Sequence, residues 1–187
     1  FNAANQLQYT FVGSPSIFYG EEIGLQEYNV IDDETPSPFF NSMKWNKDGI
    51  NYEIYNRSRS LGRLHNEYRE VFRDGAYLRL YSETTNDNKE GIMAFGRFNE
   101  NGKVVSIINP SNTVKSKFNI DVSLMDIKDG SILTDYCSGK QYKVKNGIVT
   151  VDVYEGGVVL VDGEVNNDIV GNFNVVSLGD VNPNLDL

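Results

Sequence analysis

A long succession of short β-forming segments constrains the fold of this chain more than any other feature of its sequence. From Ala76 onward, runs rich in valine, isoleucine and aromatic residues are separated by glycine, asparagine and aspartate, which is typical of strands joined by tight turns. The predicted strands cover residues 78–81, 92–98, 104–108, 118–124, 132–136, 141–145, 148–153 and 158–161. This many short antiparallel strands in one stretch predict a β-sandwich.

Local patterns within this region predict how individual strands lie and turn. Every second residue from Phe118 to Leu124 is apolar and the residues between them are polar, so a strand with one buried and one wet face is expected. The pair Asn146-Gly147 predicts a two-residue hairpin turn. The Glu-Gly-Gly sequence at 155–157 is also interpreted as a hairpin turn, because it lacks the pattern of a phosphate-binding loop.

Nearer the N-terminus, a short apolar run is enclosed by residues that break regular structure. The run at 16–19 follows a proline and precedes a glycine, and this predicts a strand covered on both faces, as in a parallel sheet. Helix-forming residues predict the end of a helix over 1–9. Glu21 and Glu22 follow the predicted strand, at the end where barrel and doubly wound folds bind ligands. The alternative is that both glutamates are ordinary solvated acids of a loop.

The region between the two features predicts a loop followed by a helix. Residues 26–49 have no sustained periodicity and contain two prolines, and a loop of this length is often functional. Its acidic run at 32–34 is interpreted as a solvated turn, with a calcium site as the alternative. Residues 51–68 carry apolar side chains at helical spacing between charged ones, which predicts an amphipathic helix. His65 on this helix is expected to be a surface or partly packed residue.

Composition excludes several classes of partner. The 187 residues carry a net charge of -9, which disfavours binding to nucleic-acid backbones or to anionic membranes. No apolar run approaches the roughly 20 residues that a membrane span needs. A single cysteine, Cys137, rules out an intrachain disulfide framework and lies in a predicted turn with no sequence sign of activation.

Three sequence motifs resemble those of one enzyme family. Residues 13–25, GSPSIFYGEEIGL, resemble the signature PG-x-P-x-IYYG-D/E-E-IG at the eighth strand of the catalytic barrel in the α-amylase family of glycoside hydrolases. Residues 61–75 resemble the closing L-x-x-LR-x-x-x-P-A-L-x-x-G segment of that family. Residues 42–45 resemble the end of R-x-P-M-x-W, although Phe40 replaces its arginine and Ser42 its proline. The resemblance extends over residues 7–160.

The resemblance implies a mainly β chain, with a C-terminal antiparallel β-sandwich preceded by an α/β segment resembling the end of a (β/α)8 barrel. Residues 1–75 would form the end of the barrel, 76–163 the sandwich and 164–187 a tail or linker. Because Phe1 is not an initiator methionine, we expect the chain to be a piece of a longer parent protein. The resemblance favours an extracellular location, which the residues themselves do not determine.

The resemblance also implies an activity for the parent: hydrolysis or transfer of α-glucans, such as starch or maltooligosaccharides, with retention of configuration. Retaining glycosidases use two carboxylates about 5 to 5.5 Å apart. In this family they come from earlier barrel strands, so no catalytic residue is expected after Phe1 and the chain alone is predicted to be inactive. By resemblance Glu22 would orient groups at the active site, and Tyr19, Glu21 and Trp45 would lie near the substrate.

The resemblance makes the remainder of the catalytic barrel the expected protein partner. No metal or other cofactor is expected within the chain, and calcium in the parent stays an alternative. A different class of function also stays open. The chain would then be a non-catalytic β-sandwich module that binds starch or packs against a barrel, with residues 1–74 as a poorly folded remnant.

Overall fold

All eight segments predicted after Ala76 form strands in the computed structural model, which describes residues 1–25, 29–30, 36–37, 43, 49–82 and 91–165. The helices are α1 (Asn2–Thr10), α2 (Tyr52–Glu67) and α3 (Arg69–Asp74), and the strands are β1 (Asn29–Val30), β2 (Pro36–Ser37), β3 (Ala76–Ser82), β4 (Met93–Asn99), β5 (Gly102–Ile108), β6 (Lys115–Asp121), β7 (Ile132–Asp135), β8 (Gln141–Lys143), β9 (Ile148–Val153) and β10 (Val158–Val161). The described residues form two compact units, one of residues 1–15 and 60–165 and one of residues 16–59.

The first unit is an antiparallel β-sandwich, which confirms the predicted fold class. One sheet has six strands in the order β3-β4-β5-β10-β7-β8, and β6 pairs with β9 in the other. Apolar residues of both sheets form a single buried cluster, in which Ile107 and Leu133 come from the six-stranded sheet and Ile120 and Val149 from the two-stranded one. Burying side chains of this size stabilises a fold by roughly 1.5 to 3 kcal/mol each.

The central strands of the larger sheet are buried on both faces. On β10, Leu160 belongs to the core shared with the second sheet, whereas Val159 packs in a separate cluster with Leu61 and Leu64 of α2. This explains why 158–161 is continuously apolar instead of alternating. The amphipathic helix predicted over 51–68 is confirmed, and its apolar side forms the second cluster.

Helix α1 is fixed to the sheet by a buried polar side chain. Gln6 is fully buried, and its Nε2 donates to Ser106 Oγ at 3.0 Å, to the Ile107 carbonyl at 3.0 Å and to the Val158 carbonyl at 3.2 Å. Thr10 Oγ1 lies 2.9 Å from Ser106 Oγ. A buried amide is tolerated because strand carbonyls accept its hydrogens. The helix predicted over 1–9 is thereby confirmed.

Two details of the strand region differ from the sequence predictions. Strand β6 ends at Asp121, and a 3₁₀ turn over Ser123–Met125 replaces its expected continuation. The turn changes the side-chain period, so Met125 is buried and Leu124 is 76% exposed. The turn at 155–157 connects β9 to β10, which lie in different sheets, so interpreting it as a hairpin turn was wrong.

The predicted Asn-Gly hairpin turn is confirmed. Asn146 and Gly147 have φ angles of 51° and 74°, and the N–H groups of Lys145 and Ile148 each donate to the other's carbonyl at 2.9 Å. A type I′ turn, whose twist matches that of the flanking strands, requires positive φ at both central residues.

The second unit departs from the prediction in its first segment. Residues 16–19 form no strand, and Phe18 and Tyr19 are 50% and 42% exposed. The prediction of a buried strand was therefore wrong for this chain. A parallel strand needs neighbours to satisfy its backbone and bury its two faces. The unit also contains the short antiparallel pair β1–β2 and the start of α2.

Among the described residues, no helix combines the length and the apolar character that crossing a membrane would require. The tail or linker predicted over 164–187 is described only to residue 165. The domain boundaries predicted at 75 and 163 stay a prediction.

Candidate functional site

The two predicted site carboxylates lie in one 3₁₀ turn, Glu21–Ile23, between two left-handed glycines. Gly20 has a φ of 88° and Gly24 a φ of 68°. The Leu25 N–H donates to the Gly20 carbonyl at 2.9 Å, which closes the turn. A Cβ at position 24 would lie 2.7 Å from Ile54 Cδ1. Glycine is required on both sides because other residues disfavour positive φ, so this local sequence determines where the carboxylates lie.

Within this turn the two carboxylates have different roles. Glu21 Oε2 accepts a hydrogen bond from the Phe18 N–H at 3.2 Å, so Glu21 stabilises its own turn. Glu22 Oε2 is buried and has no hydrogen-bond partner among the residues that the structure describes. A buried acceptor without a donor costs about 1 to 3 kcal/mol, and more when it is charged. Glu22 therefore differs from Glu21 in that its Oε2 has no hydrogen-bond donor among the described residues.

Two neighbouring aromatic rings precede the turn. The ring centroids of Phe18 and Tyr19 are 4.9 Å apart with an interplanar angle of 40°, and both side chains are about half exposed. Exposed rings of this kind can pack against an apolar surface or against the face of a sugar. The structure thus brings Tyr19, Glu21 and Glu22 into one short segment, whereas Trp45 lies outside the described residues.

One residue of this region was missed by the sequence analysis. Asn51 caps α2, because its Oδ1 accepts hydrogen bonds from the N–H groups of Glu53 and Ile54 at 3.1 and 3.3 Å. The Asn51 N–H donates to the Ile23 carbonyl at 2.9 Å, which fixes the turn to the start of the helix. The signal was an asparagine directly before the first helical residue, where it is strongly preferred.

No metal site is found in the described part of the chain, where no three histidine, cysteine, aspartate or glutamate residues come together in a suitable cluster. The acidic run at 32–34, for which calcium was the alternative, lies outside the described residues. Cys137 lies in the predicted turn after β7.

Comparisons with known proteins identify the proteins to which this chain is similar. No family model matches the chain. The chain is 28% identical over 154 residues to a cyclomaltodextrinase of Geobacillus thermopakistaniensis strain MAS1, covering 82% of this chain and 23% of that protein. It is 27% identical over 169 residues to an amylopullulanase of Thermoanaerobacter thermohydrosulfuricus, covering 83% of this chain and 10% of that protein. It spans less than a quarter of the length of either relative.

The chain is thus similar to part of several α-amylase family proteins, which also include a maltogenic α-amylase of Bacillus acidopullulyticus. Solved structures show the same fold at lower identity. An Anoxybacillus α-amylase superimposes with a TM-score of 0.63 at 19% identity, covering 88% of this chain and 32% of that one. The protein AmyP, solved in complex with maltose, superimposes with a TM-score of 0.63 at 13% identity, covering 88% of this chain and 34% of that one. The resemblance inferred from residues 13–25 is confirmed.

Proposed function

We propose that this chain is the non-catalytic C-terminal part of a retaining glycoside hydrolase that acts on starch or maltooligosaccharides. In this proposal the catalytic carboxylates belong to an upstream barrel, and the chain alone is inactive. Residues 16–19 pack against that barrel, and Glu22 in the following turn orients groups at the active site. The sandwich formed by β3 to β10 supports this end of the barrel.

The observation that carries the proposal is the buried, unpartnered oxygen of Glu22, three residues after the half-exposed Phe18 and Tyr19 pair. Apolar rings that face solvent in the same segment as a desolvated carboxylate oxygen reverse the usual arrangement of a protein surface. A neighbouring strand would cover the rings, and a donor from the barrel or the substrate would satisfy the carboxylate. The relatives' names, cyclomaltodextrinase and amylopullulanase, support an α-glucan as the substrate.

The first test is reducing-sugar release from soluble starch and maltooligosaccharides by the purified 187-residue chain. We expect no release, because both catalytic carboxylates would be upstream. Measurable turnover by the chain alone would place catalytic acids within these residues and refute the proposal.

The second test exchanges Glu22 for Gln in a longer protein that contains the barrel. Residues that orient catalytic groups typically cost about 10- to 100-fold in activity when they are lost, so we expect kcat to fall by at least about tenfold. Glu21→Gln is the matched control, because Glu21 accepts a hydrogen bond from Phe18 within its own turn. Unchanged kinetics for Glu22→Gln, or an equal loss for both variants, would remove Glu22 from the site.

A second candidate function, glucan binding by the sandwich itself, rests on a different observation. Phe11 and Tyr77 are 40% and 41% exposed, and their ring centroids are 5.5 Å apart and each 5.5 Å from the ring of Phe95. Exposed rings held in place by a buried ring suit the apolar face of a sugar. A binding titration of the same chain with maltooligosaccharides separates the candidates: saturable binding without turnover favours this function, and no binding leaves the structural role.

A further inference from the structure

A basic cleft lies at the junction of α1, α3 and β4, in the unit of residues 1–15 and 60–165. Its volume is about 490 Å³, and its walls include the loop after α1 together with His65, Phe72 and three arginines, Arg69, Arg73 and Arg97. A concave surface with three guanidinium groups is unexpected in a chain with a net charge of -9.

Arg97 is the unusual member of this cleft. It is 3% exposed, and its Nη2 donates to the carbonyls of Phe72 and Gly75 at 2.7 and 3.2 Å, while its Nη1 donates to the Phe11 carbonyl at 3.3 Å. Its Nε is buried and has no acceptor among the described residues. Burial lowers the pKa of Arg97, but a guanidinium remains protonated in proteins.

The cleft keeps an uncompensated positive charge after its carboxylates are taken into account. Glu70 pairs with both Arg69 and Arg73, and Asp74 pairs with Arg73 at 2.6 Å. Among the residues that the structure describes, Arg97 forms no salt bridge with a carboxylate, and its acceptors are carbonyl groups at the C-terminal end of α3 and beside it. A helix terminus supplies at most about half a negative charge. Buried charges are normally paired, so Arg97 lacks a counter-anion.

His65 adds a donor or acceptor to the same wall. Its Nδ1 lies 2.8 Å from the Tyr9 carbonyl, which can only accept, so Nδ1 carries a proton and Nε2 is the other ring atom. The ring stacks on Phe72 at a centroid distance of 4.8 Å, and the guanidinium of Arg97 lies 5.9 Å from the centroid of the same Phe72 ring. Phe72 therefore holds the His65 ring and the Arg97 guanidinium in fixed positions, as a binding site requires.

We propose that this cleft binds an oxyanion, either a phosphate or sulfate group or a carboxylate. The anion pairs with Arg97, and the exposed Arg69 and Arg73 close over it from α3. This site shares no residue with the turn of Glu21–Ile23 and does not depend on the proposed glucan chemistry. A carbonyl-capping role of Arg97 alone, without a bound anion, is the competing explanation that the experiment must exclude.

The test uses His65 as a local reporter, because it is the only histidine in the chain. Its imidazole signals are followed by proton NMR in the 187-residue chain while sodium phosphate is added at fixed pH, with sodium chloride added to keep the ionic strength constant. Parallel titrations use sulfate and acetate. We expect saturable shifts of the His65 signals, with phosphate and sulfate favoured if the site takes a doubly charged group and acetate equally effective if it takes a carboxylate.

Two variants make the result specific to the cleft. Arg69→Gln combined with Arg73→Gln removes two exposed donors without disturbing buried Arg97, and we expect apparent affinity to fall by at least about tenfold, as for lost charge-assisted hydrogen bonds. Arg79→Gln removes the same kind of charge from exposed β3 outside the cleft and should change nothing. Shifts that do not saturate with any of the three anions, or that persist in the double variant, would overturn the proposal.

Discussion

Replacing Gln6 with leucine tests whether residues 1–15 fold as part of the β-sandwich. The substitution nearly preserves side-chain volume but removes the Nε2 group that bonds Ser106, Ile107 and Val158. Ser106 Oγ keeps its contact with Thr10. The two strand carbonyls lose the Gln6 donor in a site where Gln6 has no solvent exposure, so water cannot readily replace it.

The expected loss follows from these three contacts. A typical intramolecular hydrogen bond contributes about 0.5 to 1.5 kcal/mol net, and a buried acceptor left without a donor costs about 1 to 3 kcal/mol. Allowing for the more favourable burial of leucine, we expect the free energy of unfolding to fall by about 2 to 4 kcal/mol. This is a large part of the roughly 5 to 15 kcal/mol that stabilises an ordinary domain.

Urea denaturation followed by circular dichroism measures this loss as a lower midpoint. Gln8→Leu is the matched control, because Gln8 lies on the same helix but is only partly buried. A change in Gln6→Leu below about 0.5 kcal/mol, which is the range of ordinary surface substitutions, would mean that α1 does not stabilise the sandwich. An equal loss in both variants would show that leucine perturbs the helix itself.

Two further predictions concern the same unit. In Gly157→Ala the new Cβ would lie 2.1 Å from the Ile107 carbonyl oxygen, at a φ of 112° that alanine disfavours. We therefore expect the free energy of unfolding, measured by urea denaturation, to fall by at least about 2 kcal/mol. A variant as stable as the wild type would contradict this packing. Burial, followed by the charge of Asp162, raises the pKa of Tyr68 to about 12. Because the folded pKa exceeds the unfolded value of about 10, the Tyr68 contribution is complete below pH 10 and is lost between about pH 10 and 12. Urea midpoints measured across that range should fall less steeply in Tyr68→Phe, and an identical fall would refute the assignment.

The sandwich strands were predictable because their signals are local. Alternation and Asn-Gly chemistry specify a strand and its turn within a few residues, as at Asn146 and Gly147. The end of β6 was not predictable in this way. Leu124 continues the alternating pattern, yet the 3₁₀ turn buries Met125 in its place, and the pattern contains no sign of the change in period.

Buried polar residues were the main features that the sequence concealed. Gln6 and Arg97 are polar and charged residues that sequence patterns place on exposed faces, but both are almost fully buried. Each is tolerated because backbone carbonyls from a distant part of the chain accept its hydrogens. Each side chain and its carbonyl partner are 25 or more residues apart in the sequence, so no local pattern predicts the contact.

The different hydrogen-bond environments of Glu21 and Glu22 were not predictable from the sequence. Glu21 and Glu22 are identical side chains in adjacent positions, and the spacing of residues 13–25 does not distinguish them. The turn does so, because it directs Glu21 toward the Phe18 N–H and leaves Glu22 Oε2 buried without a donor.

Arg97 and Glu22 differ in the kind of partner that would complete their hydrogen bonds and cover their surroundings. Arg97 is mostly satisfied by its own unit and lacks only a counter-anion, so a small ion in the cleft is sufficient to complete it. Glu22 Oε2 lacks a donor and belongs to the same segment as two half-exposed aromatic rings, so an ion would leave the apolar surface of Phe18 and Tyr19 in water. Only a polypeptide surface or a sugar offers both polar donors and apolar contacts. The two sites therefore call for different classes of partner.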